Sequence, residues 1–213
     1  GILSVVGSIY DPLGFLQPFT LPAKLIVQEL CKEKLGRDEN ITQTFSQRWT
    51  GWLIDLNKMA EFKEDRCMKP ANFGQIKLAQ LHHFSDTSES GYGTVSYLRL
   101  EDDNKEVHVA FIMGKARVAP VKQMTIPRME ITAAVLAVRV DTMPQKELQL
   151  QLDKSIFWTD NEASRGLIAD CFLSSKKWIK GPEFLCKPHR EWPKLNLESA
   201  ISANDLESSK TSH

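Results

Sequence analysis

The stretch HHFSDTSESGYGTVSYLRL, residues 82–100, decides how the chain folds. It closes a run that begins at residue 76 and ends at Asp86, the length and make-up of a strand. A small-residue turn follows. Residues 91–100, GYGTVSYLRL, then read as a second strand. Working outward, EDDNK at 101–105 is a polar hairpin loop, and EVHVAFIM at 106–113 alternates as a third strand. Three strands joined by short loops form an antiparallel meander. TIPRMEITAAVLAVRV at 125–140 is a helix, with Thr125 at its cap and Pro127 in its first turn. Ile131 to Val138 is apolar on nearly every side, which predicts a helix buried all round. SIFWTD at 155–160 is a fourth strand. Reached through a helix, it should lie parallel to an earlier strand. The order defines an α/β fold: a mixed sheet with a helix on one face.

Upstream the pattern is helical. Residues 1–19 read as an irregular apolar segment with a turn at Asp11-Pro12-Leu13-Gly14. A helix follows, with Thr20 as cap, Pro22 in its first turn and Gly36 as its stop. Phe45, Trp49, Trp52, Leu53, Leu56 and Met59 recur at three- and four-residue steps and mark a second helix. Beyond Asp160 the regularity fades, and the polar tail 199–213 reads as disordered. The division expected is a helical module over 1–70, a sheet domain over 71–160, and an irregular segment with its tail over 161–213.

Composition sets bounds on function. Lys+Arg and Asp+Glu both number 27, so the net charge of zero carries no overall nucleic-acid footprint, although charge can be segregated locally. Cys31, Cys67, Cys171 and Cys186 are scattered without a CxxC pair, which indicates neither a disulfide framework nor a zinc site and fits a reduced, intracellular setting. No apolar run approaches the ~20 residues of a membrane span, so no membrane partner is expected. The opening residues lack a basic leader and an initiator Met, and read as an internal cut of a longer chain.

Three acids stand out by position. Asp86 ends the first strand, Asp160 ends the fourth, and Glu130 heads the helix in line with Ala133, Ala134 and Ala137. Adjacent parallel strands would bring the two aspartates to about 5 Å at one end of the sheet. Two carboxylates that close repel unless a cation lies between them. Mg²⁺ or Mn²⁺ takes such oxygen ligands, and a two-metal site serves phosphodiester cleavage. Each acid also has an ordinary reading, as a turn residue or as a partner of the helix dipole. Asp86-Thr87-Ser88 also resembles the Asp-Thr/Ser-Gly loop of aspartic peptidases, but Ser88 stands where the Gly is needed. His82 and His83 read as packed strand residues. Lys115 and Arg117, beyond the third strand, with Lys122 and Arg128 form a basic cluster suited to phosphates.

These segments carry a resemblance. SVVGSIYDPLGFLQPFTLPAKLIVQEL, HHFSDTSESGYG, IPRMEITAAVLAVRV and FWTD resemble the Pol polyprotein of BEL/Pao-type retrotransposons, catalogued as the Pao retrotransposon peptidase family. The likeness covers nearly all of residues 1–195 and runs from the end of the reverse transcriptase into the ribonuclease H domain. It implies a ribonuclease H-like fold and cleavage of the RNA strand of an RNA–DNA hybrid. Asp86, Glu130 and Asp160 fall on its first three metal-binding carboxylates. The remainder of the Pol polyprotein is the implied partner. The implied setting is the cytoplasm, a virus-like particle or the nucleus.

The same resemblance exposes a gap. The family's fourth acid lies in a segment resembling Asn-Pro-Ala-Asp before Ala-Ser-Arg-Gly. Here Asn161 and Ala163-Ser164-Arg165-Gly166 follow FWTD directly, with Glu162 the nearest acid. An internal deletion or a mis-spliced gene accounts for this. Its expected consequences are an exposed fourth strand, a sheet face short of cover and weak or absent cleavage. The remaining alternatives are a non-catalytic remnant that binds nucleic acid or a partner, and an aspartic peptidase.

Overall fold

The computed structural model describes residues 1–36, 39–65, 67–122, 124–159, 166–175 and 177–193. Its helices and strands, in chain order, are α1 Ile2–Ser8, α2 Gln17–Lys32, α3 Gln43–Lys58, β1 Ile76–Thr87, β2 Gly91–Asp102, β3 Val107–Val118, α4 Ile126–Glu147, β4 Lys154–Thr159, α5 Ala169–Ser175 and α6 Lys177–Lys180. The sheet order is β3-β2-β1-β4, antiparallel throughout the meander and parallel between β1 and β4. This is the mixed sheet the sequence pattern predicts. The polar tail 199–213 lies outside the described residues.

Several local expectations are corrected. The opening segment is not irregular: Ile2–Ser8 is helical. The next helix begins three residues before Thr20, so Pro22 lies inside it. Proline has no N–H, which frees the carbonyl of Pro18 from its helical partner. That carbonyl accepts instead from Leu167 N–H at 2.9 Å. A helix defect thus becomes a docking point for the C-terminal segment. That segment is itself more regular than its composition suggests, with α5, α6 and two 3₁₀ turns among its described residues. Strand β3 runs on to Val118, so Lys115 and Arg117 sit within it.

Helix α4 is also corrected. It is not buried all round. Met129, Ala133, Leu136, Ala137 and Val140 face the sheet, while Ile131 is 67% and Val138 54% exposed. One face meets Leu81, Leu98, Leu100 and Ile112 of the sheet. On the opposite face, Phe84, Val95, Tyr97 and Phe111 pack against Phe19, Trp52, Phe172, Trp178 and Trp192. The N-terminal helices, the sheet and the C-terminal segment therefore share one core. The expected loss of cover does not occur: both faces of the meander are covered. Each large apolar side chain so buried contributes about 1.5–3 kcal/mol.

A close backbone crossing seals this second core. Gly14 has φ +81°, and Gly114 N–H donates to Leu13 O at 2.7 Å. A Cβ on Gly14 would stand 1.9 Å from Gly114 O. Trp178 lies over the same crossing and donates its indole N–H to Gly14 O at 3.3 Å. Gly14→Ala should therefore destabilise the chain by about 2–4 kcal/mol, through both the left-handed φ and the clash. Chemical denaturation measures this. A gain in stability like that expected of Gly51→Ala, where a Cβ in the middle of α3 meets open space, or no change at all, would show that the crossing is not tight.

Candidate functional site

Asp86 occupies the next-to-last position of β1 and is half-buried. Its neighbour across the sheet is Gly93, which pairs in turn with Ala116. The hairpin that follows is tight: Ser88 N–H donates to Gly91 O at 2.8 Å. Strand β4 runs beside β1 from Gln80–Lys154 to Ser85–Thr159. Its last described residue therefore pairs with the residue just before Asp86. Asp160, Asn161, Glu162 and the Ala163–Arg165 stretch lie outside the described residues.

Glu130 sits in the first turns of α4, where its side chain is exposed. The expectation that it points into a buried face is corrected: the sheet-facing line runs through Met129, Ala133, Ala137 and Asp141 instead. Helix α4 leads into β4, which starts beside Gln80 near the beginning of β1. It therefore runs antiparallel to β1, and its first turns lie toward the end of the strand that carries Asp86. Asp86 and Glu130 offer the oxygen donors that a hard divalent cation takes. Among the described residues, no three His, Cys, Asp or Glu side chains gather in a group suited to a metal ion.

The basic residues have a defined place in the sheet. Strand register aligns Ser85–Thr94–Lys115 and Thr87–Tyr92–Arg117 in the rows on either side of Asp86–Gly93–Ala116. Lys115 and Arg117 are exposed and lie two strands from Asp86, about 10 Å away at the usual strand spacing. Lys122 and Arg128 are exposed in the loop and the first turn that follow.

The most developed polar chemistry lies deeper in the sheet, at His83, expected as a packed strand residue, and at partners that the sequence reading passed over. His83 is fully buried. Its Nε2–H donates to Asp141 Oδ1 at 2.8 Å, and its Nδ1 accepts from the Ser96 hydroxyl at 2.7 Å. Ser155 Oγ donates to Asp141 Oδ1 at 2.7 Å, and Gln145 Nε2 donates to Oδ2 at 2.7 Å. The linkage has the order of a Ser-His-Asp triad, but Ser96 and His83 both have no exposed surface, so no substrate reaches them. Its work is to tie β1, β2, β4 and α4 together. A signal for Asp141 was present, because it continues the four-residue spacing of Ala133 and Ala137.

His82, on the other face, is equally buried, as expected of a packed strand histidine. Its Nδ1 accepts from the Trp158 indole N–H at 3.0 Å. Its ring stands edge-on to Trp192, with centroids 5.1 Å apart. Burial, aided by the nearby Arg99 and His83 positive charges, pushes its pKa down to about 3. Burial also lowers His83, against the opposing pull of Asp141.

With this geometry in place, the likeness to known proteins can be stated. A family model described as the Pao retrotransposon-like RNaseH-like domain matches residues 1–161. The chain belongs to this family, and its match takes in the N-terminal helices as well as the sheet. No curated protein matches the chain. No helix among the described residues is long and apolar enough to cross a membrane.

The histidine pair makes stability pH-dependent. Both folded-state pKa values lie below the unfolded value near 6.5, so the unfolded chain binds more protons once the pH drops below about 6.5. Stability should then fall as the pH drops below about 6.5, with His82 contributing up to about 1.4 kcal/mol per pH unit down to about pH 3 and His83 acting in the same direction. Urea unfolding across that range tests it. His82→Phe should lower stability at pH 7, because Trp158 N–H loses its acceptor, yet flatten the acid slope. An unchanged slope would show that His82 does not titrate between the folded and unfolded states.

Proposed function

We propose that this chain is the ribonuclease H-like part of a retrotransposon polyprotein, with the N-terminal helices as its connection to the reverse transcriptase. In this reading Asp86, Glu130 and Asp160 hold Mg²⁺ or Mn²⁺, and the substrate is the RNA strand of an RNA–DNA hybrid. The observation that carries it is the parallel register of β1 and β4, which ends with Ser85 beside Thr159. The next residue of each strand in sequence is an aspartate.

The donor chemistry fits a hard cation, because only carboxylate oxygens are offered. A divalent cation held by them would supply charge neutralisation and activate water for phosphodiester hydrolysis. The chain's own contribution is position. Asp86 is fixed by a strand whose middle is wholly buried. Glu130 is carried by a helix whose height along β1 is set by the His83–Asp141 bond. Lys115 and Arg117, exposed in the rows flanking Asp86 and therefore on the α4 side of the sheet with Glu130, offer cations to backbone phosphates, with Lys122 and Arg128 extending the basic surface.

Cleavage by this chain should be weak. The sequence runs from FWTD into NEASRG without the segment that brings a fourth acid in relatives, which fits an internal deletion. The second cation would then lack a ligand. The other reading, a folded remnant that binds without cutting, is favoured by the intact two-faced packing of the meander.

Incubation with an end-labelled RNA–DNA hybrid and Mg²⁺ separates these. The expected outcome is salt-sensitive hybrid binding, weakened by Lys115→Ala with Arg117→Ala, and slow cutting that Asp86→Asn removes. Binding with no cutting selects the remnant. Robust cutting by the native chain would overturn the impairment, and cutting that survives Asp86→Asn would remove Asp86 from the site. Absence of hybrid binding by folded protein at low salt would end the nuclease reading altogether.

A further inference from the structure

The two edges of the sheet are treated differently. The β3 edge is closed by the chain's own N-terminal segment. Gly114 N–H donates to Leu13 O at 2.7 Å, Ala116 N–H to Gln17 Oε1 at 3.3 Å, and Gln28 reaches Ala119 O. Among the described residues the β4 edge has no such cover, and its only strand neighbour is β1. Its six residues, KSIFWT, include no Pro or Gly, and Lys154 at its start is the sole charge. An unguarded strand edge is a template for another strand. Phe157 adds apolar surface beside it: its ring stacks on His83 at 4.9 Å, on the face that α4 covers, yet it is 44% exposed.

We propose that β4 is a homodimerisation edge, at which a second copy of this chain adds its own β4 antiparallel to form one continuous sheet across a two-fold axis. The strand is complementary to itself. In an antiparallel pair, directly opposed residues share a face, so a two-fold axis perpendicular to the sheet must pass through a residue rather than between two. Centred on Phe157, that register sets Phe157 against its own copy, Ile156 against Trp158, and Ser155 against Thr159. These are an aromatic pair, an aromatic–β-branched pair and a hydroxyl pair, each of a favourable cross-strand type. Ile156 and Trp158 already pack on the core shared with α2 and α3, so their pairing extends an existing apolar surface. Among the paired residues no like charges meet. The contact is one short strand, and the dimer is correspondingly weak, with a dissociation constant on the order of 10–100 μM.

This inference does not depend on any nuclease activity. It is tested on the full chain by sedimentation velocity and amide hydrogen exchange over that concentration range. Mass should double as concentration rises, and exchange of the 154–159 amides should slow with it. Phe157→Lys, which opposes two cations at the axis, should weaken association about tenfold or more with an unchanged far-UV spectrum. A chain that stays monomeric throughout overturns the proposal. So does a dimer whose β4 amides exchange at the monomer rate, or one that Phe157→Lys leaves intact. If Phe157→Lys fails to fold, the exchange measurement on the native chain decides alone.

Discussion

A sheet buried on both faces penalises every unpaired polar atom, and most of this structure answers to that constraint. Residues 79–85 of β1 and nearly all of β2 are buried, so the hydroxyls, imidazoles and guanidinium there need partners inside the protein. Among the described residues, His82 Nε2 and Thr94 Oγ1 are the buried side-chain atoms that lack one. His83 finds Ser96 and Asp141. Arg99, 2% exposed, donates to Leu185 O, Gln80 Oε1 and Glu101 Oε2 and lies 5.3 Å from the centre of the Trp192 ring. Tyr97 donates its hydroxyl to Trp178 O at 2.7 Å. Three of these bonds, His83–Asp141, Tyr97–Trp178 and Arg99–Leu185, join the meander to something outside it. The polar side chains of β1 and β2 thereby dictate which segments cover the sheet and where.

The C-terminal segment shows the consequence most directly. Its composition is mixed and its elements are short, so propensity alone would not hold it in place. It is held by backbone carbonyls offered to buried side chains: Trp178 O to Tyr97 and Leu185 O to Arg99. The Trp178 indole returns the favour to Gly14 O, and Leu167 N–H takes up the carbonyl freed by Pro22. Aromatic packing then fills the remaining volume, with Trp158 against Phe184 and Trp192 at 5.0 and 5.9 Å. The loss of later elements that the resemblance implies therefore does not strip this face. Residues 166–193 and the helices α2 and α3 close it. Among the described residues, the β4 edge and the outer side of α4 stay open.

This explains what could be read from the sequence and what could not. The meander was legible because strand alternation and hairpin turns are local signals, and β1 to β3 were recognised with C-terminal ends short by one to five residues. The parallel placement of β4 followed from a general rule of connection. The misreadings all concern tertiary context. Ile131, Val135 and Val138 look like core because they are apolar, yet they form the outer side of α4. The helix was read as ending at Val140, yet the next residue, Asp141, is the acid that the buried His83 requires, and the helix runs on through Pro144 to Glu147. Thr20 looks like a cap, but the helix starts earlier, at Gln17, where Gln17 Oε1 also meets the β3 edge. Of the candidate site, the location of Asp86 at a strand end was legible. The outward exposure of Glu130 was not, because one residue of helical phase separates a sheet-facing position from a solvent-facing one.

The same phase argument links the buried network to the proposed site. A helix lying on a sheet can slide along its axis or turn about it with little change in apolar contact, since alanines at 133 and 137 present a smooth surface. The carboxylate of Asp141, bonded at once to His83, Ser155 and Gln145, removes both freedoms. It fixes α4 against β1 and β4 together. Glu130 lies eleven residues earlier on the same rigid helix, three turns toward the end of β1 that bears Asp86. Its height and azimuth relative to that aspartate are thus set by a hydrogen bond that no substrate or ion ever touches. A triad-like arrangement whose serine and histidine are fully buried is, in this fold, the clamp that sets the height of α4, and with it of Glu130, against β1.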